Sequence, residues 1–301
     1  MKLLKETVRR YFSLPDERRS ANLSGKNPYD FIGRRSDNLI VTIGDSWTWG
    51  ANLTKQKLND VRHIEKLPDD SYRLENVYGG VISKTLNTDF LNLGEPGSDN
   101  YFIANKLKEL HKIIDQLDYD SVTVICVFTE VARGFLGPDD NLFTSPRGRS
   151  WLNDNIKIDS DYYKFLKFMN QEVADQIVPL LDKLTVKFAT NFVDPIGFEK
   201  LESNFLPKTW LQTWCESTNQ DYPEPCYLVS GWVFQKLEQV FDLCPTLNKQ
   251  MFFKWADVEM QKADKRIQLC RQDNVDFGGL MHPLAGAHKV WADYILGEIN
   301  I

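Results

Sequence analysis

Short apolar runs and helical patterns alternate along most of this chain. Four short runs predict strands: Asn38–Ile43, Asp89–Leu93, Val122–Phe128 and Val186–Phe192, of which the first is rich in β-branched residues. Apolar positions recur at helical spacing over five other segments: Glu75–Leu86, Tyr101–Leu117, Tyr162–Leu184, Asp257–Cys270 and Pro283–Leu296. Strands that alternate with helices predict an α/β fold, with a parallel sheet, right-handed crossovers and helices on both faces.

Two segments lie outside this alternation. Residues 1–36 form a basic arm, in which positions 1–35 carry nine Lys or Arg and four Asp or Glu. The arm predicts a short helix packed on the main domain, with a contact to a partner or a membrane surface as the alternative. Residues 195–258, approximately, lack a regular period and hold four of the eight tryptophans. They predict an aromatic-rich insertion in one domain, 37–301, whose tryptophans form a small core or stack on sugar rings.

Composition excludes several classes of protein. The chain has 301 residues, of which 42% are apolar and 26% charged, so it has enough apolar sequence to fold. No run approaches the roughly 18 apolar residues of a membrane span, and charges interrupt the first residues too early for a secretory signal, which predicts a cytoplasmic protein. The net charge of −6 makes nucleic acid an unexpected partner. The five cysteines form no CxxC pair, which predicts reduced thiols and no zinc site.

The chemistry-bearing residues follow the predicted strands. In an open parallel sheet, ligands bind beyond the carboxyl ends of the strands, and Gly44-Asp45-Ser46 stands at the end of the first. A serine hydroxyl becomes a nucleophile only beside a base, which is commonly an imidazole. Of the four histidines, His63 lies in a charged loop and His111 on a helix, which leaves His282 and His288. We expect His288, inside the last helix, to pack or cap rather than react.

Three blocks of sequence resemble a known family. They are Gly44-Asp-Ser-Trp-Thr48, Asn92-Leu-Gly-Glu-Pro-Gly97 and His282-Pro-Leu-Ala-Gly-Ala-His-Lys-Val-Trp-Ala292. In this order and at these strand ends, they resemble the nucleophile, oxyanion and base blocks of the SGNH hydrolases, also called GDSL esterases or lipases. The resemblance covers residues 38–296 without the insertion. It implies a three-layer α/β/α sandwich with a mostly parallel, flavodoxin-like sheet.

The resemblance also implies the roles of several residues. Ser46 is the nucleophile and His282 its base, and the backbone N–H groups of Ser46 and Gly97 form the oxyanion hole. His282 takes the Ser46 proton, Ser46 attacks the ester carbonyl, and water releases the acyl-enzyme. The candidates for substrate contact lie in these blocks or at the same strand ends: Asp45, Trp47, Asn100, Glu130 and Arg133.

Two positions depart from the family pattern. Gly279 stands where the family has an Asp three residues before the catalytic His, so Asp276, Asp273 or a backbone carbonyl remain as candidates to orient His282. Glu130 stands where the family has an Asn that donates to the oxyanion. Because an ionised Glu cannot donate, the Thr129 hydroxyl or a water becomes the third donor. We expect Arg133 to hold the Glu130 carboxylate away from the oxyanion.

The sequence therefore predicts a serine esterase. A carbohydrate O-acetyl group or another short acyl ester is the expected substrate, because the chain lacks the apolar lid that a long-chain lipid requires. We expect no metal and no organic cofactor, since no Gly-rich phosphate loop is present. A degenerate member that serves as a carbohydrate-binding or structural module is the alternative. Acyl transfer to an alcohol would use the same residues.

Overall fold

A mostly parallel sheet lies at the centre of the fold. The computed structural model describes residues 30–53, 70–117, 119–130, 162–227, 249–271, 276–278 and 281–299. Within these residues the sheet has five strands: β1 Phe31–Ile32, β2 Asn38–Ile43, β3 Asp89–Asn92, β4 Ser121–Phe128 and β5 Thr185–Thr190. Their spatial order is β1-β3-β2-β4-β5. The last four strands are parallel neighbours, which confirms the predicted sheet, and β1 pairs antiparallel with β3 at one edge.

The central strands are apolar along most of their length because both of their faces are covered. Residues 39–43 of β2 and 123–128 of β4 are all buried, as expected of parallel strands packed on both sides. Successive side chains point to opposite faces. Accordingly, Ile40 and Ile125 lie in one apolar cluster, and Val41 and Val124 lie in another.

Helices contribute to both apolar clusters. Among the described residues the helices are α1 Ser46–Trp49, α2 Asp70–Asn76, α3 Tyr78–Leu86, α4 Asn100–Ile113, α5 Tyr162–Ile177, α6 Trp210–Ser217, α7 Lys249–Arg271 and α8 Ala285–Glu298. Buried residues of α3, α6 and α8 join the cluster of Ile40, and those of α4 and α5 join the cluster of Val41. None of these helices is both long enough and apolar enough to cross a membrane.

The helix predicted over Glu75–Leu86 is two helices. The chain is extended at Val77, with φ −66° and ψ 149°, so α2 ends before it and α3 begins after it. Close packing explains the break. A Cβ at Gly80 would lie 1.8 Å from the carbonyl oxygen of Leu74. This short distance shows that α2 and α3 cross closely at Gly80. The glycine is required because no side chain fits between α3 and α2.

The other predicted helices differ from the structure at their ends. The helix predicted over Tyr162–Leu184 stops at Ile177 and continues as a 3₁₀ turn, Val178–Leu180, at Pro179. Proline lacks the N–H that the next α-helical hydrogen bond needs. Helix α7 begins at Lys249, eight residues before the predicted start, and so takes up the end of the predicted insertion.

Part of the predicted insertion belongs to the main core. Phe205 pairs with Phe188 of β5 in an isolated parallel bridge, and the buried Trp210 and Trp214 of α6 pack in the cluster of Ile40. These two tryptophans therefore stabilise the domain. Residues 228–248 of the insertion, and residues 1–29 of the basic arm, lie outside the described residues.

The connection order reverses at β2. Strand β3 lies on one side of β2 and strand β4 on the other. The chain therefore passes from β2 to one side of the sheet, and then from β3 back to the other side. In open α/β sheets, ligands bind where the order reverses, beyond the carboxyl ends of the strands. Ser46 follows β2, and Thr129 and Glu130 follow β4. The fold thus brings the predicted nucleophile to this edge.

Candidate active site

A tight turn after β2 presents Ser46. Asp45 is the N-cap of α1, and its carboxylate accepts a hydrogen bond from the Trp47 N–H at 3.0 Å. Gly44 permits the turn, because a Cβ there would lie 2.1 Å from the Thr48 hydroxyl. Ser46 is the first residue of the helix, where backbone N–H groups have no partner within the helix. The Ser46 side chain and the Ser46 backbone N–H therefore both lie at the start of α1.

A small closed loop before α8 carries His282. Within it, the N–H of Gly278 donates to the carbonyl of His282 at 2.8 Å, and the N–H of Leu284 donates to the carbonyl of Asp276 at 2.7 Å. Phe277 and Pro283 form an antiparallel bridge between these bonds. The loop brings His282 Nε2 to 2.8 Å from Ser46 Oγ. This is the distance of a hydrogen bond between a serine nucleophile and its base.

Asp276 lies six residues before His282 in the same loop. Its Oδ2 accepts a hydrogen bond from the Trp214 indole N–H at 3.1 Å. Its Oδ1 packs against the start of α8, where a Cβ at Gly286 would lie 2.1 Å away. Helix α8 therefore needs a glycine at that position. The orienting role of Asp276 stays a prediction, and Gly279 and Asp273 lie outside the described residues.

The loop after β3 packs directly on the turn at residues 44–47, which carries the predicted nucleophile Ser46 and is named the nucleophile turn. The N–H of Glu95 and the hydroxyl of Ser98 both donate to the carbonyl of Gly44, at 2.9 and 3.0 Å. Gly94 permits this approach, since a Cβ there would lie 2.5 Å from the Trp49 nitrogen. Gly97 is exposed and has φ +82°, a conformation that favours glycine. The predicted oxyanion glycine is thus in the loop that touches the nucleophile turn.

The end of β4 is fixed by an amide. Asn100 accepts a hydrogen bond from the Thr129 N–H at 2.9 Å and donates to the Thr129 carbonyl at 3.1 Å. It also donates to Asn170 at 3.0 Å. Asn100, predicted to contact substrate, is thus occupied within the protein. Glu130 follows and is 2% exposed, whereas Arg133, its predicted partner, lies outside the described residues.

Two further predicted contact residues, Asp45 and Trp47, are buried. Besides capping α1, the Asp45 carboxylate accepts a hydrogen bond from the Asn191 side chain at 2.9 Å. The Trp47 ring packs edge-on against Trp210, with centroids 5.3 Å apart, and against Phe192 at 6.0 Å. The structure therefore engages both side chains, which flank Ser46 in the sequence, in contacts within the protein.

Sequence reasoning missed three supporting residues. Asn191 and Trp214 hold Asp45 and Asp276, as described above. The buried Arg73 of α2 donates to the carbonyl of Trp49 at 2.8 Å, with its guanidinium carbon 4.5 Å from the centre of the Trp49 ring. Its ion pair with Asp30 balances the charge. None of the three carried a sequence signal: Asn191 lies within the predicted strand Val186–Phe192, whereas the structure ends β5 at Thr190.

His288 is excluded as the base by its surroundings. It is fully buried against Tyr78 and Trp210, and its Nδ1 accepts a hydrogen bond from the Tyr78 N–H at 3.3 Å. Burial, with a smaller contribution from His282, lowers the pKa of His288 to about 3. The imidazole is therefore neutral and caps the start of α3, as expected for a histidine inside the last helix.

The described residues include no group of three or more His, Cys, Asp or Glu side chains arranged to hold a metal ion. Four cysteines, Cys126, Cys215, Cys226 and Cys270, are buried free thiols in this part of the chain. Burial raises the pKa of the Cys215 thiol to about 11, so it is protonated and unreactive at neutral pH.

Comparison with known proteins gives structural matches at low identity and low TM-score. No family model and no curated protein matches the chain. A member of the lipolytic G-D-S-L family from Veillonella parvula is 11% identical, with a TM-score of 0.34 and coverage of 86% of this chain and 97% of that one. A mutant of an acetyl-xylooligosaccharide esterase from Geobacillus is 13% identical, with a TM-score of 0.36 and coverage of 90% and 96%.

An acetyl xylan esterase from the rumen bacterium Butyrivibrio proteoclasticus is also similar. It is 12% identical, with a TM-score of 0.39, and the match covers 87% of this chain and 63% of that one. The present chain thus spans less than two thirds of that protein. Similarity at these levels assigns neither a family nor an activity, so the case for an activity rests on the site itself.

Proposed function

We propose that this chain is a serine hydrolase of the SGNH type that cleaves an ester through an acyl-enzyme on Ser46. One observation carries the proposal: Ser46 Oγ and His282 Nε2 lie 2.8 Å apart, although 236 positions separate them in the chain. The three-layer α/β/α arrangement belongs to the same proposal. It is supported by the parallel sheet and by the apolar clusters of helical residues on its two faces.

The reaction follows from this contact. His282 Nε2 accepts the proton of the Ser46 hydroxyl while Oγ forms a bond to the carbonyl carbon of the ester. When the tetrahedral intermediate collapses, the bond to the alcohol oxygen breaks and His282 returns the proton to that oxygen. A water then attacks the acyl-enzyme with His282 again as the base, and the carboxylic acid leaves.

The oxyanion hole in this proposal consists of backbone N–H groups. Ser46 supports this role as the first residue of α1, and Gly97 as an exposed glycine in the loop packed on the nucleophile turn. Donors that are already oriented stabilise the developing charge without reorganising. The Thr129 hydroxyl, at the adjacent end of β4, or a water is the proposed third donor.

Asp276 is the proposed orienting acid. Asp276 and His282 belong to one loop, and two backbone hydrogen bonds hold the ends of that loop together. The Trp214 N–H fixes one carboxylate oxygen, so the acid has a defined orientation. A carboxylate that is fixed in this way stabilises the imidazolium that forms during the reaction.

A short acyl group is the proposed specificity. Ser46 is only 7% exposed, and the Trp47 ring next to it in the sequence packs against other aromatic rings, which supports a small acyl group at this serine. An acetyl ester of a carbohydrate is our proposed substrate class. The alternative, a degenerate binding module, requires that Ser46 be unreactive despite its contact with His282.

A fluorophosphonate probe tests the proposal, because it labels only an activated serine. Native protein should be labelled and should hydrolyse p-nitrophenyl acetate faster than the octanoate. Ser46→Ala and His282→Ala should lose at least about 1,000-fold in kcat/KM. Ser203→Ala and His111→Ala, which change a serine and a histidine outside the site, are the matched controls.

The outcomes separate the two candidate functions. Labelling of native protein that is lost in Ser46→Ala supports the hydrolase. Absence of labelling in folded native protein, together with binding of acetylated or free oligosaccharides, supports the binding module. Addition of an acceptor alcohol then distinguishes hydrolysis from acyl transfer, because transfer yields a new ester.

A further inference from the structure

Asn191 joins the end of β5 to the nucleophile turn. Its side-chain N–H donates to Asp45 Oδ2 at 2.9 Å, and its Oδ1 accepts from the N–H of Phe192. Its backbone is also engaged on both sides: its N–H donates to the carbonyl of Phe128, and its carbonyl accepts from Leu211. Asn191 is buried, so its amide has a single orientation set by these partners.

The Asp45 carboxylate transmits this restraint to Ser46. One oxygen accepts from Asn191, and the other accepts from the N–H of Trp47 in the first turn of α1. Ser46 stands between these two residues of the turn. Rotation of the carboxylate would release the Trp47 N–H and change the direction of the first turn, and with it the position of Ser46 Oγ relative to His282.

The contact spans the sheet. Strand β4 lies between β2 and β5, so Asn191 reaches past the end of one strand to hold the turn after another. Phe192, the next residue, packs against the Trp47 ring with centroids 6.0 Å apart. Two consecutive residues after β5 thus hold the turn from one side.

We infer that Asn191 is a positioning residue for the nucleophile: its amide fixes the Asp45 carboxylate and thereby the geometry of Ser46 toward His282. The inference rests on the proposed function and adds a residue that none of the three sequence blocks contains. A displacement of about 1 Å at a reacting atom costs about 100-fold in rate. Loss of the amide should therefore lower kcat much more than it changes KM.

The atoms allow an exchange of the two side chains. In the double variant Asp45→Asn/Asn191→Asp, the new amide at position 45 can accept from Trp47 and donate to position 191. The new carboxylate at position 191 can accept from both position 45 and Phe192. The hydrogen bonds that link positions 45 and 191 to each other, to Trp47 and to Phe192 are retained, as is the total charge, whereas Asn191→Asp alone puts a second carboxylate where the amide donated to Asp45.

The experiment compares the native protein, Asn191→Asp and the exchange variant. Each is measured for kcat and KM with p-nitrophenyl acetate, for the rate of fluorophosphonate labelling and for the melting temperature. We expect Asn191→Asp to lose about 100-fold in kcat and in labelling rate with a small change in KM. The exchange variant should recover to within about 10-fold of native.

Asn191→Ala is included because the paired carboxylates of Asn191→Asp could prevent folding. It removes the donor without adding charge and should also lower kcat. Its matched control is Asn204→Ala, since the Asn204 amide donates to the carbonyl of Val186 at the opposite end of β5, at 3.1 Å. This control should lose stability but keep the native kcat per folded molecule.

Each outcome decides the inference. Native kcat in folded Asn191→Ala or Asn191→Asp overturns it, as does an exchange variant that folds but stays as slow as Asn191→Asp. In both cases the proposed function survives, because the native protein is active. If native protein neither reacts with the probe nor hydrolyses the ester, the proposed function is refuted and this inference with it.

Discussion

The buried His288 should make the protein sensitive to acid. Its imidazole is fully buried, and its Nδ1 accepts the first N–H of α3, from Tyr78, so only the neutral ring fits. Burial lowers its pKa to about 3 in the folded protein. In the unfolded chain the same ring has the ordinary pKa of about 6.5.

The difference between the two pKa values of His288 sets the direction in which stability changes with pH. As the pH falls below 6.5, the unfolded chain binds a proton on His288 that the folded protein does not, so the free energy of unfolding decreases. The decrease is about 1.4 kcal/mol per pH unit and continues until the folded protein also binds the proton, near pH 3. Between pH 6.5 and pH 4 His288 should therefore remove about 3 kcal/mol of stability.

His288→Asn isolates this effect. The amide oxygen can accept the Tyr78 N–H in place of Nδ1, and an amide does not titrate. The variant should be less stable than native protein at pH 7, because it fills less space, but its disadvantage should shrink by about 3 kcal/mol at pH 4.

Urea unfolding of both proteins at pH 7, 6, 5 and 4 gives the free energies to compare. His111→Asn, which removes a partly exposed histidine of α4, is the control for loss of any histidine. If native protein and His288→Asn lose stability in parallel as the pH falls, the buried histidine is not the cause and this reasoning is refuted.

Three other substitutions test the site. Gly94→Ala places a Cβ 2.5 Å from the Trp49 nitrogen and should lower kcat more than about 10-fold by displacing the loop, as steady-state kinetics would show. Trp214→Phe removes a donor to Asp276 and should lower kcat and change the pH profile of kcat/KM; an unchanged profile would show that this hydrogen bond does not support His282. Glu130→Gln should keep or raise kcat/KM, because a buried carboxylate opposes the oxyanion; loss of turnover in folded protein would make Glu130 a catalytic or substrate-binding group.

Strands could be predicted where their own residues were sufficient evidence, without knowledge of the neighbouring strands. The runs 39–43 and 122–128 are continuous and apolar because both faces of β2 and β4 are buried, and such runs need no knowledge of their neighbours. The two residues of β1 pair only because β3 offers its edge, which no local pattern reveals. The break at Val77 depends likewise on the close crossing of α2 and α3.

The candidate site divides in the same way. Ser46 and His282 stand in short blocks whose turn residues and spacing are visible in the sequence, and the structure brings them together. Adjacency in sequence does not reveal which way a side chain faces, so the buried Asp45 could not be distinguished from a substrate contact. Asn191 and Trp214 reach Asp45 and Asp276 through tertiary contacts, which a single Asn or Trp in a sequence does not reveal.

The distance along the chain between Ser46 and His282 has a consequence during synthesis. A ribosome makes Ser46 early and His282, its proposed base, 236 residues later, and the loop of His282 is held by α8, whose last residue is Glu298. Under the proposed mechanism, a growing chain therefore carries the nucleophile without its base until nearly the whole domain has left the exit tunnel. Reaction of Ser46 with a serine-directed probe would then report the moment at which translation and folding of this domain are complete.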